Sequence, residues 1–235
     1  AYAETQSMFC DSLLNDADWL KLYAFNSQGE TVPDSIIKAI TVSGQPFKAY
    51  EERSILVVPY FERALYQLND EELQPELVTA LARKIEKQIL GLECSPRPLL
   101  AIPHLLSDES ACSYQGYLIA HMAVYQTRAY FLEKFGYLTD NPEIGPLLCE
   151  HYWKPGNSMT HNDTIESLTG EGFNAKYLAD ECNLSAEQAW DIQQQKMASL
   201  TSRSQQPPSA LNAVIKVVDG AEDLANNATS DDDMC

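Results

Sequence analysis

The sequence predicts an all-α fold. Apolar residues recur at intervals of three and four along most of the 235-residue chain, which is the period of an amphipathic helix. Continuous alternation of apolar and polar residues, the pattern of a half-buried strand, is almost absent. Hydrophobic residues make up 45% of the chain and charged residues 21%, as in ordinary globular proteins. We therefore expect many helices that bury a core.

Three helical segments are predicted in the N-terminal third of the chain. Residues 2–24 carry apolar residues at helical spacing with an acidic pause, so they form one helix or two abutting ones. Residues 33–40 form a short helix, because Pro and Asp suit its first turn. Residues 47–68 form a long helix, which Pro59 should kink or divide.

Two further helices are predicted on either side of an irregular stretch. Residues 70–90 are rich in Glu, Leu, Ala, Lys and Gln and are followed by glycine, a common helix stop. Three prolines make residues 92–107 irregular. The next helix runs over residues 109–135, with Asp108 as a fair N-cap and glycine after its last residue.

Shorter helices complete the helical portion, which we assign to residues 1–203. They are predicted at residues 142–153, 164–168, 173–181 and 185–200. Ser185 is a good start for the last of them. Residues 204–235 are interpreted as a linker, a possible short helix at 210–218 and an acidic flexible tail.

The charge and cysteine content exclude several classes of protein. Acidic residues outnumber basic ones by 34 to 16, and a net charge of −18 repels phosphate backbones, so we expect no nucleic acid partner. No apolar run approaches the roughly 20 residues that span a bilayer, so we expect no membrane partner. The six cysteines form no C-x-x-C pair, which favours reduced thiols in the cytoplasm or another reducing compartment such as an organelle matrix.

The chemically most suggestive residues lie around the start of the helix at 109–135. Tyr114, Tyr117 and His121 are separated by three and four residues, so two phenols and an imidazole share one side of that helix. The proline-rich stretch places His104 shortly before them. Phenol and imidazole groups can donate hydrogen bonds to an oxyanion, but such residues also occur as ordinary packed side chains.

Several segments together resemble the C-terminal part of the family of zinc peptidases that contains thimet oligopeptidase, oligopeptidase A and oligoendopeptidase. Residues 1–8, Ala-Tyr-Ala-Glu-Thr-Gln-Ser-Met, resemble the family's F-V-E-A-P-S-Q-M segment. Pro-His-Leu at 103–105 and Ser-Tyr-Gln-Gly-Tyr-Leu-Ile-Ala-His at 113–121 resemble its loop histidine and its G-Y-Y-x-Y-L-W-A-E segment. The likeness covers roughly residues 1–184.

This resemblance implies a multi-helical C-terminal portion of a zinc oligopeptidase catalytic domain. Glu4 would be the third ligand of Zn²⁺, and His104, Tyr114 and Tyr117 would donate hydrogen bonds to the substrate and to the oxyanion. The family's H-E-x-x-H motif, which supplies two histidine ligands and the catalytic base, is absent from this sequence and is expected upstream. We thus expect short peptides as substrates, the N-terminal part of the same protein as a partner, and no activity from this chain alone.

The sequence also departs from the family pattern, which leaves alternatives open. The loop before Tyr114 is poor in glycine, Gln115 replaces a tyrosine, and His121 replaces an acidic residue. We expect a structural role for His121. The alternative function is a non-catalytic helical interaction module derived from this family, whose acidic surface binds a basic partner. A helical binding protein unrelated to peptidases, with both tyrosines merely packed, is the third option.

Overall fold

A computed structural model describes residues 1–92, 98–107, 109–203 and 216–226 of the chain. The chain divides into two compact units, Ala1–Thr201 and Ser202–Cys235. Most of the described residues are helical, as the apolar spacing predicts. None of the helices in this described part is both long and apolar enough to cross a bilayer.

The first unit consists of helices joined by turns. The α-helices are α1 Tyr2–Ser12, α2 Ala17–Tyr23, α3 Asp34–Gly44, α4 Lys48–Leu65, α5 Pro75–Leu90, α6 Gln115–Phe135, α7 Ile144–Leu148, α8 His161–Thr169, α9 Lys176–Cys182 and α10 Ala186–Ser199. Short 3₁₀ turns occur at Leu13–Asn15, Gln45–Phe47, Leu99–Ala101 and Pro103–Leu105, and a π-helical turn at Cys149–Trp153 follows α7.

Local signals predict several of these helix ends correctly. The segment at 2–24 is two abutting helices, α1 and α2, as the acidic pause allows. Gly91 and Gly136 end α5 and α6 in the left-handed conformation, with φ of 72° and 80°. Ser185 caps α10 through a complete capping box, in which its hydroxyl accepts the Gln188 amide and the Gln188 side chain accepts the Ser185 amide.

Pro59 lies inside α4 and does not divide it. The helix loses one backbone hydrogen bond at the proline, which ordinarily costs about 3 kcal/mol. Val57, Val58 and Phe61 are each at most 1% exposed in this part of α4. Each fully buried side chain of this kind contributes about 1.5–3 kcal/mol, so burial outweighs the lost bond.

Helix α6 begins at Gln115 and not at residue 109. The preceding residues form turns, and Cys112 has a positive φ of 58°, which a continuing helix cannot accommodate. The buried carboxylate of Glu62 in α4 accepts the Cys112 amide N–H at 2.5 Å. The prediction of a helix over 109–114 is therefore wrong, because a distant carboxylate satisfies this backbone. The expected N-cap Asp108 lies outside the described residues.

The second unit contains a β-hairpin that the sequence analysis did not predict. Strands β1 Lys216–Asp219 and β2 Glu222–Asn226 pair antiparallel across a turn at Gly220, whose φ is 60°. Residues 216–218 were expected at the end of a helix, and that prediction is wrong. Two adjacent valines followed by Asp-Gly are a strand and a hairpin signal. The predicted linker at 204–208 and the residues beyond 226 lie outside the described part.

Helix α6 is the central element of the first unit, because it contributes to both hydrophobic clusters. One cluster forms where α1, α6, α7 and α8 meet, and includes Phe9, Phe131, Tyr152 and Ile165. The other lies around α4, α5 and the turns at 99–105, and includes Phe61, Ile85, Leu99, Leu105 and Tyr114. Helix α6 thus packs into the first cluster along its length and meets the second through Tyr117 at its start.

Helices α1 and α6 run side by side in the same direction. A Cβ atom placed on Gly116 would lie 3.2 Å from the Ala1 nitrogen, so the helices start together. Further along, the rings of Phe9 and Phe131 are 6.1 Å apart, and Arg128 donates to Ser12 Oγ at 2.8 Å. This parallel arrangement brings the first turn of α1 to the start of α6.

Candidate functional site

Three of the residues singled out from the sequence form one aromatic cluster, the His104 cluster, made of His104, Tyr114 and Tyr117. The His104 ring centre is 5.1 Å from that of Tyr114 and 5.7 Å from that of Tyr117, and the two tyrosine rings are 5.0 Å apart. All three pairs are edge-to-face, the favoured geometry for aromatic rings. The structure therefore brings these three residues together.

The turn at 103–105 positions the imidazole of this cluster. Ile102 and Leu105, on either side of His104, are each 3% exposed and belong to the core around α4 and α5. Tyr66 after α4 donates its hydroxyl to the Leu105 carbonyl oxygen at 3.1 Å. Because both neighbours are anchored, the half-buried His104 ring is directed at the start of α6.

Both tyrosines sit at the beginning of α6. Tyr114 precedes the first helical residue and is 5% exposed, so it is packed into the core. Tyr117 is one turn further along and is only half-buried, with its ring packed against the same core. Tyr117 is therefore the phenol of this pair with access to the surface.

The hydrogen-bond pattern of His104 indicates which ring nitrogen carries the proton and whether the Tyr117 hydroxyl is free to donate. His104 Nε2 lies 3.0 Å from the Tyr117 hydroxyl oxygen. Nδ1 is buried and has no partner among the described residues. Orphaned buried N–H groups are rarer than unfilled acceptors, so in the neutral ring Nδ1 is the bare nitrogen and Nε2–H donates to Tyr117. The Tyr117 hydroxyl proton is then available to another acceptor.

Glu4 lies on the first turn of α1, which starts beside Gly116, the residue before Tyr117. Its half-buried carboxylate accepts a hydrogen bond from Ser7 Oγ at 3.2 Å. Asp11 lies two turns further along the same stripe of α1 and acts electrostatically on His121 of α6. The structure therefore places the start of α1 beside the start of α6, and Asp11 near enough to His121 for its charge to act there.

His121 is paired with Glu52 of α4. Its Nδ1 lies 2.9 Å and 3.0 Å from the two carboxylate oxygens. The hydrogen bond to Glu52 raises the pKa of His121, burial opposes this rise, and the negative charges of Glu52 and Asp11 add to it. The contact links α4 to α6, and a structural role for His121 stays a prediction. Sequence reasoning missed Glu52, because nothing local links residues 69 positions apart.

A zinc site needs three protein ligands in catalytic enzymes. No group of three or more His, Cys, Asp or Glu side chains within residues 1–92, 98–107, 109–203 and 216–226 is placed to hold a metal ion. The resemblance implies Glu4 as one ligand of the three, and that role stays a prediction.

No known protein family, curated protein or solved structure matches this chain.

Proposed function

We propose that this chain is part of a zinc-dependent oligopeptidase, a metalloendopeptidase that hydrolyses short peptides. The observation that carries the proposal is the hydrogen-bonded pair of His104 and Tyr117 at 3.0 Å, packed on Tyr114. These are the three residues for which the resemblance implies a role in substrate and oxyanion binding. The contact joins the turn at 103–105 to the start of α6. A resemblance between short sequence segments does not require these residues to meet in space, so the contact is independent support.

In this proposal Tyr117 is the donor to the scissile carbonyl group. In the tautomer with the proton on Nε2, His104 donates to the phenol oxygen at 3.0 Å, and the hydroxyl proton of Tyr117 then points away from His104. A hydrogen bond received by a phenol strengthens the one that it donates. As the carbonyl oxygen becomes an oxyanion, the bond from Tyr117 strengthens, and such a donor contributes about 10²–10³ in turnover. Tyr114 supports the two rings from the core side.

Glu4 is proposed as the third zinc ligand, since it lies on the first turn of α1, which begins beside Gly116 at the start of α6. The two histidine ligands and the catalytic base then come from an H-E-x-x-H segment in the N-terminal part of the same protein. Zinc, when bound, lowers the pKa of a water molecule and polarises the peptide carbonyl. We propose a reducing compartment, such as the cytoplasm or an organelle matrix, because the six cysteines of the sequence form no C-x-x-C pair.

The test is peptide hydrolysis by the protein that contains both this chain and an H-E-x-x-H segment. We expect Tyr117→Phe to lower kcat about 100-fold while KM changes little, because the lost bond forms mainly in the transition state. Tyr60→Phe is the matched control, since Tyr60 is 47% exposed in the outer part of α4. An unchanged kcat in Tyr117→Phe assigns this residue to packing.

The same assay distinguishes the proposed enzyme from the alternative, a non-catalytic helical interaction module. Wild-type protein with zinc should cleave short peptides, and a chelator should abolish the cleavage. If no peptide is cleaved at any zinc concentration, while a basic protein partner binds with a strong dependence on salt, the interaction module is the better account.

A further inference from the structure

A second polar site lies in the first unit, apart from the His104 cluster. A cavity of about 330 Å³ opens between α6, α9, α10 and the junction of α1 with α2. Its volume is at the lower end of the range of small-molecule sites, roughly 300–1,000 Å³. Tyr125 on its wall is eight residues beyond Tyr117, or about 12 Å along α6 at 1.5 Å per residue. None of the three aromatic residues of the His104 cluster lines the cavity.

The wall of this cavity contains two cations and one carboxylate in direct contact. Arg128 Nη2 donates to both oxygens of Asp16, at 2.7 Å and 2.8 Å, and Lys196 Nζ donates to the same carboxylate at 2.5 Å. The side chains of Asp16, Arg128 and Lys196 are only 3%, 11% and 15% exposed. One positive charge in this buried group is not balanced by Asp16, and an unbalanced buried charge is costly.

The other carboxylates on the wall are already paired. Asp180 forms an ion pair with Lys176, and Glu181 forms one with Lys48. Each of these pairs is neutral as a whole. Arg128 and Lys196 therefore carry one positive charge more than Asp16 neutralises, and an anionic ligand could balance it.

The hydroxyl of Tyr125 supplies an uncommitted donor on the same wall. No hydrogen-bond partner for it occurs in the described part of the chain. Burial raises the pKa of Tyr125, and the charges of Glu181 and Glu52 raise it further, so the phenol keeps its proton. Lys196 also has three N–H donors, of which Asp16 takes one.

The remaining wall of the cavity is largely apolar. It is lined by Leu132 of α6, Leu184 after α9, and Ala189 and Ile192 of α10. A cavity of 330 Å³ has the volume of about eleven water molecules at roughly 30 Å³ each. An occupant with one anionic end and a short apolar body fits both the charge and the lining.

We propose that this cavity binds a small carboxylate with an apolar body, whose carboxylate accepts hydrogen bonds from Lys196, Arg128 and the Tyr125 hydroxyl. The apolar body lies against Leu132 and Ile192. This site is independent of the proposed peptidase chemistry, because it shares no residue with the His104 cluster.

The experiment is a titration of the full chain with hexanoate, followed by backbone ¹H–¹⁵N NMR. We expect saturable shifts confined to residues of α6, α9, α10 and the junction of α1 with α2, with a Kd on the order of 1 mM for so small a ligand. Hexanamide has the same shape without the charge and should bind about tenfold more weakly or not at all. Absence of saturable shifts at about ten times that concentration, or equal binding of acid and amide, overturns the proposal.

Two variants test the donors. Lys196→Met keeps the apolar stem and should weaken hexanoate binding about tenfold, while Tyr125→Phe should weaken it by a factor of about three to ten. Tyr125→Phe removes a hydroxyl that has no partner in the described structure, so it tests the proposal even if Lys196→Met does not fold. Lys154→Met, at a 66% exposed lysine outside the cavity, is the control and should bind as the wild type does. Unchanged affinity in Tyr125→Phe and in folded Lys196→Met contradicts the assignment.

Discussion

His104 and Tyr117 illustrate how one buried nitrogen determines the behaviour of a neighbouring phenol. The unpartnered Nδ1 assigns the imidazole proton to Nε2, and the 3.0 Å contact then leaves the tyrosine proton free. The opposite tautomer would make Tyr117 the donor to His104. Tyr117 could then not act on a substrate carbonyl group, so the tautomer is a direct test of the proposed role.

We predict that neutral His104 carries its proton on Nε2. Long-range ¹H–¹⁵N correlation spectra of the imidazole distinguish a protonated from a bare ring nitrogen. The expected spectrum shows Nδ1 as the bare nitrogen in the folded chain. A protonated Nδ1 would contradict the prediction and would remove the structural support for Tyr117 as an oxyanion donor.

The pair of His121 and Glu52 should make stability depend on pH. The pKa of His121 is raised in the folded state. The pair of His121 and Glu52 therefore contributes its full stabilisation of the fold at pH values below about 6.5, the pKa of histidine in the unfolded chain. That contribution is lost as the pH rises through the folded pKa. We expect His121→Gln to lower the free energy of unfolding by about 1 kcal/mol more at pH 5.5 than at pH 9.

Denaturant unfolding at the two pH values measures this difference. The loss in free energy of unfolding caused by Glu52→Gln should depend on pH in the same way. The double variant should lose no more of this free energy than either single variant does. Equal losses at pH 5.5 and pH 9 would mean that the 2.9 Å contact is not an ion pair in solution.

Among the helices, the packing of α1 on α6 depends on the absence of a side chain at Gly116. A Cβ atom there would meet the Ala1 nitrogen at 3.2 Å, closer than ordinary contact. Tyr2 donates its hydroxyl to the Tyr152 carbonyl oxygen at 2.7 Å, and Thr5 is 1% exposed, so the first turn of α1 is held in place. The close approach of the two helices therefore leaves little room for a side chain at Gly116.

Substitution of two helical glycines should give different results. Gly44→Ala is expected to raise the free energy of unfolding by about 0.5–1 kcal/mol, because its Cβ meets no atom within 4 Å and alanine favours the helix. Gly116→Ala should give no gain or a loss of about 1 kcal/mol, since overpacking offsets the helix propensity. Thermal and denaturant unfolding compare the two variants. An equal gain in the free energy of unfolding at both sites would show that Ala1 moves away from the added Cβ atom at little cost.

Asp16 joins three helical elements and should be sensitive to both mutation and acid. Burial alone would raise its pKa, but Arg128 and Lys196 together lower it below the ordinary value of 3.8. Asp16→Asn leaves two buried cations without their partner and should cost about 3–5 kcal/mol. Glu150→Gln, in an exposed pair with Lys154, should cause no measurable change.

The acid dependence follows from the lowered pKa of Asp16. Its stabilisation is present above the unfolded pKa of about 3.9 and is lost as the pH falls through the folded value. We expect the wild type and Asp16→Asn to differ most in stability above pH 5 and to converge near pH 2. A constant difference in the free energy of unfolding over this range would contradict the assignment of the ion pairs.

For the whole molecule, the dominant electrostatic property is a net charge of −18. Repulsion among like charges destabilises a compact state, and salt screens it over a Debye length of about 8 Å at 0.15 M. We expect Tm to rise by about 2–4 °C between roughly 0.01 M and 0.15 M sodium chloride, which corresponds to about 1 kcal/mol for a chain of this size. Calorimetry at the two concentrations measures it, and a fall in Tm would show that attractive pairs outweigh the net repulsion.

Much of the local structure could be predicted from the sequence. Apolar spacing predicts the helices, and Gly91, Gly136 and Ser185 mark helix ends correctly because their effects act within a few residues. The shared face of Tyr117 and His121 follows from the helical period, whereas Tyr114 lies just before the helix and meets Tyr117 through ring packing. The missed hairpin at Gly220 also had a local signal, the Asp-Gly pair, which the helical interpretation overlooked.

Only the tertiary structure decided which of these residues meet. The contact of His104 with Tyr117, the capture of the Cys112 amide by Glu62, and the grouping of Asp16 with Arg128 and Lys196 join residues 13 to 180 positions apart. Local periodicity does not predict such pairs, because burial and long-range packing determine which side chains come into contact. Local patterns therefore predict most of the helices and the candidate residues, whereas packing around α6 determines the geometry of both polar sites.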